Sequence, residues 1–355
     1  MYLGVDNLEI QKYLKILSKD YPKFLEPYLK TEEMKRLMGI SMVSASEHTK
    51  LLETKYFHTR YEHSIGVALI IWNFTKDKKQ TLAGLFHDIS TPSFSHVIDY
   101  LHGDYKKQET TEGLTKLFIE NSVEIMQLLK KDNIKLEEVI DYKLYPIADN
   151  DSPRLSADRL EYTLSDGLVT QNAFTLESID RIYSDLTILK NEDGIEEIGF
   201  KTQKIAEEYV ERASKMWRLF SGNFENNIIM QFWTDILRKM FTEGYITEED
   251  LYKYSEKEIV KKIEECSNKE IQNAYKIFAN ASKIIRTNKK IENQYCITLK
   301  IKVRYTNPLV EDEIGGAKRI SEISSKGRQI IEEIKNFKES SKYACLNLNL
   351  ESTIK

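Results

Sequence analysis

The stretch Thr59-Arg60-Tyr61-Glu62-His63-Ser64-Ile65-Gly66-Val67-Ala68-Leu69-Ile70-Ile71-Trp72-Asn73-Phe74 decides how this chain is to be read. Thr59 and Glu62 stand in the arrangement in which each side chain can bond the other residue's backbone N–H, so a helix opens at Thr59. His63 then falls near its first turn, with Val67, Ile70, Ile71 and Phe74 on the buried side. In the next segment Leu82, Leu85, Phe86 and Ile89 follow i, i+3, i+4, i+7 spacing. Thr91-Pro92 marks the end, because a residue before proline leaves the helical region, and His87-Asp88 is thereby expected in the last turn.

Working outward, apolar residues recur at helical spacing from Leu8 to about Ile285, with few glycines or prolines to interrupt them. Gln108 to Lys131 and Thr202 to Lys239 read as long helices, the second with Trp217 and Trp233 as core anchors. Near Tyr295 the pattern changes. Cys296 to Tyr305 alternates with period two and is rich in β-branched residues, which predicts a strand. Ser321 to Phe337 returns to a helical period, and Tyr343 to Leu350 can form a second strand. The expectation is a mainly α chain, with a helical domain over 1–285 and a small α/β region over 286–355.

Composition narrows the function. Of 355 residues 41% are hydrophobic, enough for a sizeable core, and 52 basic against 56 acidic residues leave a net charge of −4. No global attraction to nucleic acid or to an anionic membrane follows from that balance, so any phosphate binding must be local. Cys266, Cys296 and Cys345 are odd in number, far apart and without a CxxC pair. They argue against a disulfide framework and a thiolate zinc site, and for a reducing cytoplasm. The longest apolar run, Val67 to Trp72, is far too short to span a bilayer, and the N-terminus has no uninterrupted apolar core.

All six histidines fall between His48 and His102. Imidazole nitrogen and carboxylate oxygen together suit first-row divalent metals, and a set of two histidines and two aspartates leaves positions open for water and substrate. His87 and Asp88 point about 100° apart on a helix, so both reach one ion only if it lies beside that helix. His63 and Asp158 would complete the shell from two further helices. Ser152-Pro153 is a favourable helix start, which predicts a helix from there through Gly167. On it Asp158, Arg159, Tyr162 and Asp166 share one polar stripe, opposite Ala157, Leu160 and Leu164. Arg159 can fork onto phosphate oxygens, and Tyr162 can stack or donate a hydrogen bond.

Arg60-x-x-His63-Ser64-x-Gly66-Val67, His87-Asp88, Phe94-Ser95-His96 and Asp158-Arg159-x-x-Tyr162-x-x-x-Asp166 together resemble the HD-domain phosphohydrolases, in the branch of the deoxynucleoside triphosphate triphosphohydrolases. Arg36-Leu37 is similar to an Arg-Leu element of that branch. The resemblance implies a helical HD fold in which His63, His87, Asp88 and Asp158 bind one divalent ion, whether manganese, iron, zinc, cobalt, nickel or magnesium. It implies phosphate contacts for Arg60, His96 and Arg159, a place near the sugar for Tyr162 and Asp166, and a homo-oligomer. The chemistry implied is attack of water on phosphorus, aided by the metal as Lewis acid and clamp.

The chain departs from that pattern. Thr91 stands where the family has a histidine, Gln108 replaces a second one ahead of Glu109, and Met42 is nearest to a glutamine that closes on the nucleoside. Neither threonine nor glutamine replaces an imidazole titrating near neutrality. Asp99, the carboxylate that orients those histidines, is kept, as is His96. Two other functions therefore stand beside a nucleotide phosphohydrolase: a nucleotide-binding regulator with impaired catalysis, and, more remotely, a metal-dependent oxygenase. Plainer roles also stand beside the chemical ones. The four ligands can form a buried hydrogen-bonded network, and Arg60 and Arg159 can pair with Glu62 and Glu161. Tyr162 can be packing, and Asp166 a cap near Gly167. His48, His58 and His102 read as surface residues, Trp72 as core, and Lys283 to Lys290 as a solvated helix face.

Overall fold

The fold is taken from a computed structural model that describes residues 4–52, 54–103, 112–169, 173–219, 224–299, 303–313 and 315–348. Its central element is the helix Arg60–Thr75, opened by the Thr59–Glu62 capping box in both directions. The apolar stripe is wider than the spacing implied, because every residue from Arg60 to Ile71 is buried. A helix encased on all sides needs neighbours on all sides. They are the helices Leu8–Leu17, Lys78–Phe86 and Ala157–Val169. The packing against Lys78–Phe86 relies on Gly84, where a Cβ would sit 2.2 Å from Ile71 Cδ1 and 3.2 Å from Val67 Cγ1.

His87 and Asp88 come just after the helix Lys78–Phe86, not in its last turn. They lie in a tight turn closed by Ile89 N–H to the Phe86 carbonyl (3.0 Å) and Thr91 N–H to the Asp88 carbonyl (2.9 Å). The Asp158 helix begins at Ala157, four residues after Pro153; the start falls where Ser156 Oγ accepts the Arg159 N–H at 3.2 Å. The long helices are shorter than their periodicity suggested. Ser122 caps a new helix by accepting the Ile125 N–H, which separates Thr115–Asn121 from Val123–Lys131. Gln108 lies outside the described residues. The segment from Thr202 contains two helices, Gln203–Leu219 and Phe224–Thr242.

The strands are β1 (Leu186–Lys190), β2 (Glu196–Phe200), β3 (Ile285–Thr287), β4 (Tyr295–Thr298), β5 (Leu309–Glu311), β6 (Ala317–Arg319) and β7 (Tyr343–Leu346). β1 and β2 form a hairpin inside the part read as a helical lobe. Its signal was present as Asp193-Gly194, with Gly194 at φ +74°, between two short β-rich runs. β5 pairs parallel to β2 and antiparallel to β6, giving the order β1-β2-β5-β6. The other sheet is β3-β7-β4. Among the described residues the expected strand over Cys296–Tyr305 is only β4, and residues 303–308 are irregular. Ser321–Phe337 divides into Ile320–Ile323 and Ser325–Lys335. Lys283–Lys290 carries β3 and is not a helix face. Trp217 and Trp233 are buried, whereas Trp72 is part-exposed, set edge-on to Phe24 and under the Lys76 ammonium.

The register of β4 against β7 sets Cys296 opposite Cys345, and the two are joined by a disulfide with Cα atoms 4.1 Å apart. This corrects the expectation of unpaired thiols. A separation of 49 residues hides the adjacency that the strand pairing creates. Among the described residues no helix is long and apolar enough to cross a membrane. Thiol titration of protein denatured without reductant should give one reactive group per chain, Cys266, and three after reduction; three before reduction would remove the cross-link.

Candidate metal centre and its cavity

The His63 helix, the turn after Lys78–Phe86 and the Asp158 helix converge on one small volume. His63 Nε2 lies 3.1 Å from His87 Nε2 and 3.2 Å from Asp158 Oδ1. Asp88 Oδ2 is 3.7 Å from His63 Nε2 and 3.5 Å from His87 Nε2, and His87 Nε2 is 3.6 Å from Asp158 Oδ1. His63, His87 and Asp88 satisfy the spacing of a group able to hold a metal ion. Asp158 touches the same two imidazoles from the opposite helix.

Each ring is oriented by its far nitrogen. His87 Nδ1 is 2.7 Å from the Gly84 carbonyl oxygen, and His63 Nδ1 bonds the Glu161 carboxylate. Since a carbonyl or carboxylate can only accept, both Nδ1 atoms carry the proton and both Nε2 atoms turn a lone pair inward. Two such lone pairs at 3.1 Å, flanked by two carboxylates, suit a shared cation. The electrostatics agree. Burial alone would discharge His63, but Glu161 and Asp158 outweigh it and hold its pKa up at about 10, so a proton lodges there when no cation does. Burial would likewise raise Asp88, yet Arg60, His87 and His63 hold it well below the usual carboxylate range.

Glu161 was expected, if anything, to pair with Arg159. It is instead fully buried beneath His63, accepting the Tyr13 hydroxyl at 2.9 Å and the Ser165 hydroxyl at 3.1 Å. Gly66 makes the room, because a Cβ there would come within 2.4 Å of Glu161 Oε1. The spacing could have revealed this: Asp158 and Glu161 are three apart, on one side of a helix. Arg60 pairs with Asp88, its terminal nitrogen 2.6 Å from Oδ2, while Glu62 turns back to His58 and Thr59. Arg159 spends its terminal nitrogens on the preceding loop, reaching the carbonyls of Arg154 and Asn150 at 2.8 Å each. Thr91 donates to Asp88 Oδ1 at 3.0 Å, and Arg36 grips the same turn by the carbonyls of Ile89 and Thr91.

The cluster forms the floor of a cavity of about 530 Å³, within the usual range for small-molecule sites. Arg60, His96, Asp99, Arg159, Tyr162 and Asp166 all line it. His96 Nδ1 is 2.8 Å from the buried Asp99 carboxylate, and burial together with nearby Arg60 lowers its pKa, so the ring is neutral with Nε2 as acceptor. Burial, reinforced by Glu161, pushes Asp166 up to about 6. Three of the histidines lie off the cavity, and two were misjudged as surface. His58 is buried against Glu62 and His48 is part-buried against Glu256; His102, paired with Glu248, is exposed. Sequence reasoning also missed the far walls. They come from Val210, Met216 and Trp217, from Asn226 and Met230, and from Arg304, Tyr305, Ile331 and Ile334 in the last fifth of the chain. These residues have no motif of their own.

Residues 60–164 match the family described as the HD domain. YdhJ of Bacillus subtilis, an uncharacterized protein, is 36% identical over 143 residues, 40% of this chain and 42% of that protein. The metal-dependent phosphohydrolase cns2 of Cordyceps militaris is 29% identical over 163 residues, 44% of each chain. The chain thus spans less than half the length of these relatives. Two solved structures share the fold along nearly the whole chain. A phosphohydrolase from Bacteroides thetaiotaomicron has a TM-score of 0.65 at 15% identity, covering 92% of this chain and 96% of its own. A hypothetical protein from Aquifex aeolicus has a TM-score of 0.63 at 18% identity, covering 94% and 95%.

The Glu161 bond to His63 yields an expected outcome. Glu161→Gln should weaken Mn2+ binding by roughly 10–100-fold, the usual cost of losing a carboxylate behind a ligating histidine. Calorimetric titration measures it, and an affinity equal to wild type would remove Glu161 from the centre.

Proposed function

We propose, from the match of residues 60–164 to the HD-domain family, that this chain is a metal-dependent phosphohydrolase acting on a nucleotide. The observation that carries the proposal is the pair of inward-facing imidazole nitrogens with two carboxylates at the floor of a cavity, beside a guanidinium. His63, His87, Asp88 and Asp158 would hold one divalent ion, which would supply Lewis acidity to a phosphate oxygen and to the attacking water. Arg60, anchored on Asp88, offers its remaining donors to the phosphate. Asp99 fixes the tautomer of His96, leaving Nε2 to accept a proton from water or a hydrogen bond from a protonated phosphate oxygen. Arg159 stiffens the rim and meets phosphate only by exchanging loop carbonyls for it. Tyr162 and Asp166 face the sugar, and the apolar wall around Trp217, Met230 and Ile334 suits a base.

Purified protein should turn over at least one of the nucleoside mono-, di- or triphosphates in the presence of Mn2+, Mg2+, Co2+ or Ni2+. The double variant His87→Ala, Asp88→Ala should lose both bound metal, by elemental analysis, and turnover. Absence of turnover across that panel by protein shown to contain metal counts against hydrolysis. One observation favours a second reading, a nucleotide-binding regulator: Thr91 ties its hydroxyl to Asp88 where a proton-transferring imidazole would serve. Calorimetric binding of a nucleotide without hydrolysis, with turnover raised by Thr91→His and Gln108→His together, is its signature. Assembly as a homo-oligomer rests on the family resemblance alone. A cytoplasmic setting rests on composition, and the Cys296–Cys345 pair weighs against it, since thiols there stay reduced.

A further inference from the structure

We infer that Glu256, far outside the HD-domain segment, is a positioning residue that sets the phosphate side of the cavity. The inference rests on the reading of that cavity as a phosphate site. Glu256 opens the helix Glu256–Glu265, a place where an acidic residue ordinarily faces solvent and the helix dipole. Here it is fully buried and turned inward. Its Oε1 accepts two backbone N–H groups from different segments, Ser41 at 2.9 Å and Phe94 at 3.1 Å. Its Oε2 lies 2.9 Å from His48 Nε2.

Those two amides flank the residues that matter. Phe94 and Ser95 have φ of 67° and 49°, the left-handed region that side chains other than glycine resist, so the turn needs outside support. The segment just before Glu256 supplies more of it: the Leu251 carbonyl accepts the Ser93 N–H at 2.8 Å and the Tyr254 carbonyl the Ser93 hydroxyl. Phe94 stacks on Trp233, with centroids 4.2 Å apart. From the turn so held, Ser95 Oγ donates to the Ser41 carbonyl at 2.9 Å and accepts Arg60 Nε at 3.2 Å, while His96 follows directly. One carboxylate thereby ties together the Ser41 strap and the Ser95 turn, and the Arg60 guanidinium rests on that pair through Ser95 Oγ. Glu256 itself does not line the cavity.

The test compares full-length wild type with Glu256→Ala, Glu256→Gln and Ser93→Ala by hydrogen exchange and by titration with Mn2+ and inorganic phosphate. Glu256→Ala should speed exchange of the amides over 93–99 and leave Mn2+ affinity unchanged. It should also weaken phosphate binding by roughly 10-fold or more, about the worth of one charge-assisted hydrogen bond. Glu256→Gln, which keeps an acceptor for both amides, should stay near wild type in exchange and in phosphate affinity. Ser93→Ala, which loses only the bond to Tyr254, should loosen the same amides. Exchange and phosphate affinity unmoved in Glu256→Ala overturn the inference, as does loss of Mn2+ together with protection throughout the chain. If Glu256→Ala does not fold, Ser93→Ala decides by whether those amides alone exchange faster. Wild type that binds Mn2+ but no phosphate sinks the phosphohydrolase reading, while exchange still decides on Glu256.

Discussion

Two imidazole lone pairs facing each other at 3.1 Å between two carboxylates impose one demand on the molecule: something positive must lie among them. Everything around the cluster serves that demand. Glu161 and the Gly84 carbonyl turn the rings inward, Gly66 leaves space for the carboxylate behind His63, and Arg60 supplies countercharge to Asp88. Removing one partner from such a buried set leaves another charge uncompensated, which is why the surrounding helices must hold their places. The fully encased Arg60–Thr75 helix is the frame that does so.

The cavity above this floor has walls of different origin. The floor and the Arg60 side come from residues inside the matched HD segment, whereas the far wall comes from the helices after Gln203 and from residues 303–306 and 331–334. β5 and β6 extend the sheet begun by β1 and β2, so the last part of the chain is stitched to the helical part by backbone hydrogen bonds. The buried Glu256 likewise joins the helix after Tyr254 to the Ser41 segment and the turn at Phe94. The cavity over the candidate metal centre is thus closed by segments that carry no motif.

Legibility in the sequence followed the range of each interaction. The capping box of Thr59 and Glu62, the stripe from Asp158 to Asp166 and the buried face of the His63 helix were readable, because each depends on residues three to eight apart. The hairpin β1–β2 was readable as well, from Asp193-Gly194, and was overlooked in favour of the helical period around it. The 296–345 cross-link, the pairing of His48 with Glu256 and the partner of Glu161 depend on contacts between distant segments, which periodicity does not encode.

By itself the sequence determined the helical class, the ordered set His63, His87, Asp88 and Asp158, and the absence of any global charge that would draw the chain to nucleic acid. Those properties reside in local spacing and composition. Only the tertiary structure decided that Arg60 leans on Asp88 and not on Glu62, that Arg159 folds onto its own loop, and that Glu161 and Glu256 point inward. The physical reason is that a buried charge takes whichever partner the packing of distant helices brings within hydrogen-bond reach, and that choice is made in space, after the chain has closed.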